Sequence, residues 1–260
     1  MHAVMVAGGT PTPDDPLYAY TGGRPKALLD VAGKPMAQWV LDALDSAASV
    51  EAIVIVGLEA ASGLRAHKPV RFVADRHGLL PNSQAGLAEV RAMDRSAAQA
   101  MILSGDIPAL TPEIVETRIR SADPAADLDY IAIERRVMDA RFPNARRTYV
   151  RLRGLEVCGG DMNIVRVDLA TDDRLWERLL AARKSVWRQA SLVGWDTLFF
   201  LLLRRLELEV AVQRVSRRLH IRGRAHLFPY AEAGMDVDKP HQLELIRRDL
   251  ASRGKPDSRP

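Results

Sequence analysis

Ala3-Val4-Met5-Val6-Ala7-Gly8-Gly9-Thr10 is the stretch on which the fold turns, because an apolar run of strand length passes directly into two glycines. A strand apolar at every position is buried on both faces, as in a parallel sheet with helices on each side. The same grammar repeats outward along the chain. Aliphatic or β-branched runs at residues 52–56, 70–73, 100–104, 130–134, 149–152 and 163–168 alternate with helical patterns at 35–46, 83–97 and 112–121. Pro35 and Pro112 fall in the first turn of two of those helices, where the missing N–H costs nothing. The alternation predicts an α/β fold, a three-layer α/β/α sandwich around a mixed, mostly parallel sheet. From residue 172 to 218 the pattern turns helical, with Trp176, Leu179 and Leu180 on one apolar stripe, and reads as a helical elaboration. An extended piece at 226–238 and a terminal helix at 239–250 complete a single domain, 1–251, and residues 252–260 read as a disordered tail.

The 260 residues, 47% of them hydrophobic, are enough for one sizeable core. A net charge of +4, from 37 basic and 33 acidic residues, is spread without a basic arm, so nucleic acid is not an expected partner. Cys158 is the sole cysteine and cannot form an intrachain disulfide, which fits a reducing compartment; a cytoplasmic location is the simplest expectation. The N-terminus runs into an apolar strand without the basic region of a signal peptide. The most apolar window, 198–203, is closed by Arg204 and Arg205 and is far shorter than the ~20 residues of a membrane span. It reads as a buried helix, and no membrane partner is expected.

Three segments carry candidate chemistry. Glycines after a first strand let backbone N–H groups approach a phosphate, and Arg24-Pro25-Lys26 further on offers two cations to neutralise it. A glycine turn beside two solvated cations accounts for the same residues. Neither G-x-x-x-x-G-K-[ST] nor G-x-G-x-x-G occurs, which argues against a P-loop and against a dinucleotide fingerprint. Ser104-Gly105-Asp106-Ile107-Pro108 sets Asp106 just past the carboxyl end of a central strand, where open α/β sheets bind ligands. Asp106 is therefore a candidate ligand for a hard cation, with a turn or capping aspartate as the plainer alternative. In Gly234-Met235-Asp236-Val237-Asp238-Lys239-Pro240 the two carboxylates point the same way if the segment is extended, and one divalent cation would relieve their repulsion. Asp238 as an N-cap is compatible with that.

In order, these motifs resemble the NTP-transferase superfamily that includes the molybdenum cofactor guanylyltransferases and the sugar-phosphate nucleotidyltransferases. Gly8-Gly9 looks like its glycine-rich loop, Pro25-Lys26 like its proline-lysine before a helix, and Gly33-Lys34-Pro35 like the start of its next helix. Residues 10–23 form a longer, proline-rich insertion than that family carries, and 172–218 lie outside the resemblance. The resemblance implies a Rossmann-like fold of the nucleotide-diphospho-sugar transferase type, an NTP and a small-molecule acceptor as substrates, and Mg²⁺ as cofactor. By it, Ala7, Gly8, Gly9 and Lys26 contact the nucleotide, Arg24 and Lys26 meet phosphate oxygens, and Asn82 and Ser83 meet the base, unless they simply cap their helix. Asp106 and Asp238, with Asp236 close behind, would hold the metal. Asp161 and Asn163 in Gly159-Gly160-Asp161-Met162-Asn163 would hydrogen-bond the acceptor, although a glycine hairpin turn explains that segment as well. Arg135, Arg136, Arg146 and Arg147 are either contacts for an acceptor phosphate or solvated surface.

The implied reaction is in-line attack by an acceptor phosphate or hydroxyl on the α-phosphorus of an NTP, with pyrophosphate leaving and electrostatics supplying the catalysis. A nucleotide-sugar glycosyltransferase of the related fold is a rival, against which Pro25-Lys26 speaks. A nucleotide-binding regulatory module without catalysis is another. The sequence leaves a homodimer open.

Overall fold

The computed structural model describes residues 1–183 and 206–253. Its first half runs β1 (His2–Val6), α1 (Tyr18–Thr21), β2 (Asp30–Val31), β3 (Lys34–Pro35), α2 (Met36–Ser46), β4 (Ile53–Val56), β5 (Val70–Val73), α3 (Leu79–Met93), β6 (Gln99–Ser104) and α4 (Pro112–Arg120). The second half runs β7 (Leu128–Glu134), α5 (Arg135–Arg141), β8 (Val150–Leu152), β9 (Leu155–Gly159), β10 (Met162–Arg166), α6 (Asp173–Arg183), α7 (Leu208–Leu219), β11 (Gly223–Leu227) and α8 (Pro240–Arg253).

The pleat of β1 explains the layers. Ala3 and Met5 point into one core, shared with Met36, Val40, Leu41 and Leu44 of α2, with α4 and with α8. Val4 and Val6 point into the other, shared with Leu87 and Val90 of α3 and with Trp176 of α6. Alternate residues of one apolar strand thus serve both faces. β4 and β6 flank β1 in parallel and β5 extends the sheet beyond β4. Beyond β6 the sheet turns mixed, because β10 runs antiparallel to both β6 and β7. On one side of β7, β10 opposes residues 128–129 and β9 opposes 132–134, while β11 lies parallel along the other side. β9 and β10 are therefore one strand direction interrupted at Gly160 and Asp161, not the two arms of a hairpin.

Several boundaries differ from the sequence reading. α3 starts four residues ahead of the expected helix because the break falls at Gly78 (φ 155°), so Asn82 and Ser83 lie inside the helix and do not cap it. The piece expected to be extended over 226–238 is a strand only to Leu227, followed by a 3-10 turn at Ala231–Gly234. α8 reaches Arg253, so the first two residues of the expected tail are helical. Helical structure over 172–218 is found at α6 and α7; residues 184–205, with the apolar window 198–203, and the tail from 254 lie outside the described residues. No described helix is long and apolar enough to cross a membrane.

Candidate functional site

The carboxyl ends of β1, β5 and β6 open on a cavity of about 570 Å³. The loop after β1 (Ala7, Gly8, Gly9, Thr10), Lys26, the segment around Asp75 to Leu79, Asn82, and Ser104 to Asp106 line it. At Gly8 a side chain is excluded by contact, and at Gly9 the positive φ of 116° favours glycine. A Cβ on Gly8 would lie 2.6 Å from Asn82 Nδ2 and 2.7 Å from Asp75 Oδ1, and one on Gly57 would lie 2.2 Å from the Gly8 Cα. The Gly105 N–H donates to the Val6 carbonyl (2.8 Å) and the Lys26 N–H to the Gly9 carbonyl (3.2 Å), which fixes both strand ends and the lysine to the loop.

Lys26 leaves its single 3-10 turn (Lys26–Leu28) with Nζ 2.5 Å from Asp106 Oδ2 and 2.6 Å from Asp238 Oδ1. Burial by itself would lower the ammonium pKa, but Asp106 and then Asp238 outweigh burial and raise it, so the group stays charged. Asp106 accepts from Ser104 Oγ (2.5 Å) through its other oxygen, and its carbonyl accepts from the Val237 N–H (3.0 Å), tying β6 to the Asp236–Asp238 segment. Asp238 is the most exposed member of the trio. Asp161 stands behind them at the interruption between β9 and β10, where burial first and the charge of Asp106 second push its carboxyl up to about 7.

The expected residues divide accordingly. Ala7, Gly8, Gly9, Lys26, Asn82 and Asp106 line one cavity, and Asp238 joins Lys26 at its rim. Arg24 does not: it is exposed and its Nε donates to the Thr21 carbonyl (3.3 Å) of its own turn. Asp236 is drawn away by an ion pair with Arg147. The Asn82 amide is spent on the loop beside it, accepting from the Arg76 N–H (2.6 Å) and donating to Asp75 (2.8 Å). Ser83 Oγ donates to the Leu79 carbonyl (2.8 Å) within α3, away from the cavity. Asn163 holds the strand interruption together, accepting from the Ile131 N–H (3.2 Å) and donating to the Gly160 carbonyl (3.2 Å). Of the four arginines, Arg135 pairs with Glu156 and Arg136 with the largely covered Glu134, Arg146 is exposed, and Arg147 pairs with Asp236.

Sequence reasoning missed Asp75 and His77. Burial would raise the Asp75 carboxyl, but hydrogen bonds from Asn82 and the His77 N–H outweigh it, and the Gly9 N–H adds a further one. Asp75 thereby braces the glycine loop. Its signal was available: like Asp106, it stands just past the carboxyl end of a strand.

Two carboxylates converging on one positive charge are a donor set of hard oxygens suited to a divalent cation such as Mg²⁺. Asp106 and Asp238 fit that role, and Asp236, turned to Arg147, does not.

The family model of MobA-like NTP transferase domains matches residues 4–188. A solved transferase of Thermus thermophilus, described as hypothetical, superposes with a TM-score of 0.80 at 36% identity, over 93% of this chain and 98% of that one. CMP:2-keto-3-deoxy-manno-octonic acid synthetase, solved with CTP, superposes with a TM-score of 0.54 at 18% identity, covering 97% of this chain and 98% of that one. The 4-diphosphocytidyl-2C-methyl-D-erythritol synthase of Anaerococcus prevotii does so with 0.58 at 12% identity, covering 96% and 95%. At those identities the last two show a shared fold alone. The bifunctional protein GlmU of Rhodospirillum rubrum is 33% identical over 130 residues, 47% of this chain and 27% of that protein, so the chain spans about a quarter of that relative.

Proposed function

Because the chain belongs to the family of MobA-like NTP transferase domains and is a nucleotidyltransferase, we propose that it transfers a nucleoside monophosphate from an NTP to a small acceptor and releases pyrophosphate, with Mg²⁺ as cofactor. One observation carries the reading: a cavity of about 570 Å³ has a glycine loop on one wall, a charged lysine at its edge, and beside that lysine two carboxylates supplied by distant segments. That is the inventory needed to hold a triphosphate next to a divalent cation.

Gly8 and Gly9 let the triphosphate come close to the backbone, and Lys26 neutralises charge on the departing pyrophosphate. Asp106 and Asp238 would hold a divalent cation, which when bound would supply positive charge to stabilise the transferred phosphoryl group. An acceptor oxygen forms the new bond to the α-phosphorus while the bond to the bridging oxygen of the β-phosphate breaks and pyrophosphate departs. An acceptor phosphate is already ionised at neutral pH, so no side chain has to remove a proton.

Pyrophosphate release is the test. It is measured with each common NTP, with and without Mg²⁺, against phosphorylated and hydroxylated acceptors. Release that requires both Mg²⁺ and an acceptor, and is lost in Asp106→Asn, supports the reading. Binding of a nucleoside diphosphate sugar in place of any NTP would contradict it.

A further inference from the structure

At the amino end of β1, the opposite end of that strand from the nucleotide cavity, three ligating side chains meet. The pleat and the helix above it bring them together. His2 shares its face of β1 with Val4 and Val6, the face that α3 covers, and Asp94 is the residue on which α3 ends. Glu51 enters from the turn before β4, where its N–H donates to the Met1 carbonyl (3.1 Å) and the Ala3 N–H donates to the Ala52 carbonyl (3.0 Å). His2 Nε2 lies 3.1 Å from Asp94 Oδ2 and 3.7 Å from Glu51 Oε2, and the ligand atoms of all three side chains lie within 4.8 Å of one another.

Each carboxylate is braced through its other oxygen. Asp94 Oδ1 accepts from the Ser96 N–H (2.8 Å) and from Ser96 Oγ (2.6 Å), and Glu51 Oε1 accepts from the Met1 amine (2.6 Å). The second oxygen of each is thereby turned to the same imidazole nitrogen. A proton on Nε2 reaches Asp94 but not Glu51, because 3.7 Å is beyond hydrogen-bond length. A cation at that point reaches both. Ligands about 2.1 Å from a tetrahedral ion stand about 3.4 Å apart, and the two distances from Nε2, 3.1 and 3.7 Å, fall on either side of that spacing. Asp94 also closes the last turn of α3, where the helix dipole is negative and a cation is favoured. The His2 side chain is only 10% exposed and is fixed by packing, with Nδ1 enclosed and without a partner, whereas Glu51 (64%) and Asp94 (33%) leave the cluster open to solvent.

We propose that His2, Glu51 and Asp94 form a second metal site, for a divalent transition-metal ion such as Zn²⁺, with water completing its shell. The donors decide the metal. One imidazole nitrogen with two carboxylate oxygens suits Zn²⁺ and its neighbours, whereas Asp106 and Asp238 offer oxygen alone and suit Mg²⁺. Ser96 and the Met1 amine supply the outer hydrogen bonds that orient ligating carboxylates. Bound there, the ion joins the start of β1, the turn before β4 and the end of α3, and so ties the sheet to one helical layer. The site shares no residue with the nucleotide cavity and is independent of the nucleotidyltransferase reading.

The test uses the untagged full chain, stripped by a chelator that is then removed, with excess Mg²⁺ present to hold the carboxylates of the cavity. Zn²⁺ is titrated in by calorimetry. Wild type is expected to bind it at a single site for which Mg²⁺ does not compete, and the melting temperature is expected to rise with Zn²⁺ concentration. His2→Gln and Asp94→Asn are each expected to weaken binding by ~10-fold or more and to remove that rise. Glu51 is 64% exposed, so Glu51→Gln probes the site without disturbing packing, and it is expected to weaken binding by a similar factor. Asp106→Asn is expected to bind Zn²⁺ within about twofold of wild type, which an ion seated in the cavity would not allow. No Zn²⁺ binding by wild type, Zn²⁺ affinity that His2→Gln and Glu51→Gln leave unchanged, or affinity lost in Asp106→Asn overturns the proposal.

Discussion

Gly8 touches two side chains that it cannot displace, so Gly8→Ala tests the loop with a single methyl. Its Cβ would meet Asn82 and Asp75 at under 3 Å, and Asp75 is itself held by Asn82 and the His77 N–H. The expected outcome is a ~10-fold loss of NTP affinity by calorimetry together with a lowered melting temperature, because buried Asn82 and the Asp75 it holds have to give way to the added methyl. At this scale the sequence was most legible where a residue sits at the end of a readable strand. Gly8 and Asp106 follow β1 and β6, and their place at the cavity follows from the strands alone. Arg147 was not legible, because its direction depends on two left-handed residues beside it in an arginine-rich stretch. Asn163 misled for a related reason: a polar residue after two glycines looks free, yet its amide is consumed by the strand interruption the glycines create.

Between elements, two polar residues do the joining. Asp127 clamps three strands at one end: it accepts from Arg166 Nε of β10 (2.6 Å), from the Arg222 N–H just before β11 (2.8 Å) and from Arg222 Nη2 (2.9 Å), while itself preceding β7. Burial would raise its carboxyl, but Arg222 and then Arg166 outweigh burial and bring it down to about 2 from 3.8. A carboxyl depressed on folding stabilises the fold above its ordinary value, and that stability is lost as the pH falls through the folded value. Thermal melts of Asp127→Asn should lie below wild type at pH 7, with the gap closing between pH 4 and pH 2. A constant gap across that range would contradict the clamp. Gln242 joins α8, Asp238 and Ala145, and Gln242→Leu leaves the Asp238 N–H without its acceptor and the Ala145 carbonyl with His241 alone. Denaturant melts should show a loss of about 1–3 kcal/mol, and half-saturation by Mg²⁺ in the presence of NTP should move to higher concentration. The sheet strands with aliphatic runs were readable; α5 and β9 were not, because α5 is a seven-residue stretch dominated by charged residues and β9 is a short Leu-Glu-Val-Cys-Gly run that Glu156 interrupts and glycine ends.

Across the whole molecule, Arg118 links the helical layer to the sheet while fully buried. From α4 it donates Nε to the Met162 carbonyl (2.9 Å) and Nη2 to the Asp129 carbonyl (2.7 Å), and it pairs with the buried Asp129 carboxylate at 3.3 Å. Arg118→Met leaves Arg224 on the Asp129 carboxylate (3.1 Å) but strips the Met162 and Asp129 carbonyls of the Arg118 donors, and the expected cost is about 1–3 kcal/mol for each carbonyl left unmatched, read in denaturant melts. Periodicity reveals layers but not such struts, since an arginine in an amphipathic helix reads as solvated. The same limit applies to the mixed half of the sheet, where β10 and β11 insert out of chain order and only long-range register fixes their places. The site is assembled at that scale, because Lys26, Asp106 and Asp238 are brought within reach of one ammonium from segments far apart in the chain. The most direct measurement is therefore calorimetric titration of wild type and Lys26→Ala with each common NTP, with and without Mg²⁺. Mg²⁺-dependent binding of at least one NTP by wild type, weakened by at least ~10-fold in Lys26→Ala, is the predicted result. NTP affinity that is indifferent to Lys26, or absent from a folded wild type, would contradict the assignment of this cavity to the nucleotide.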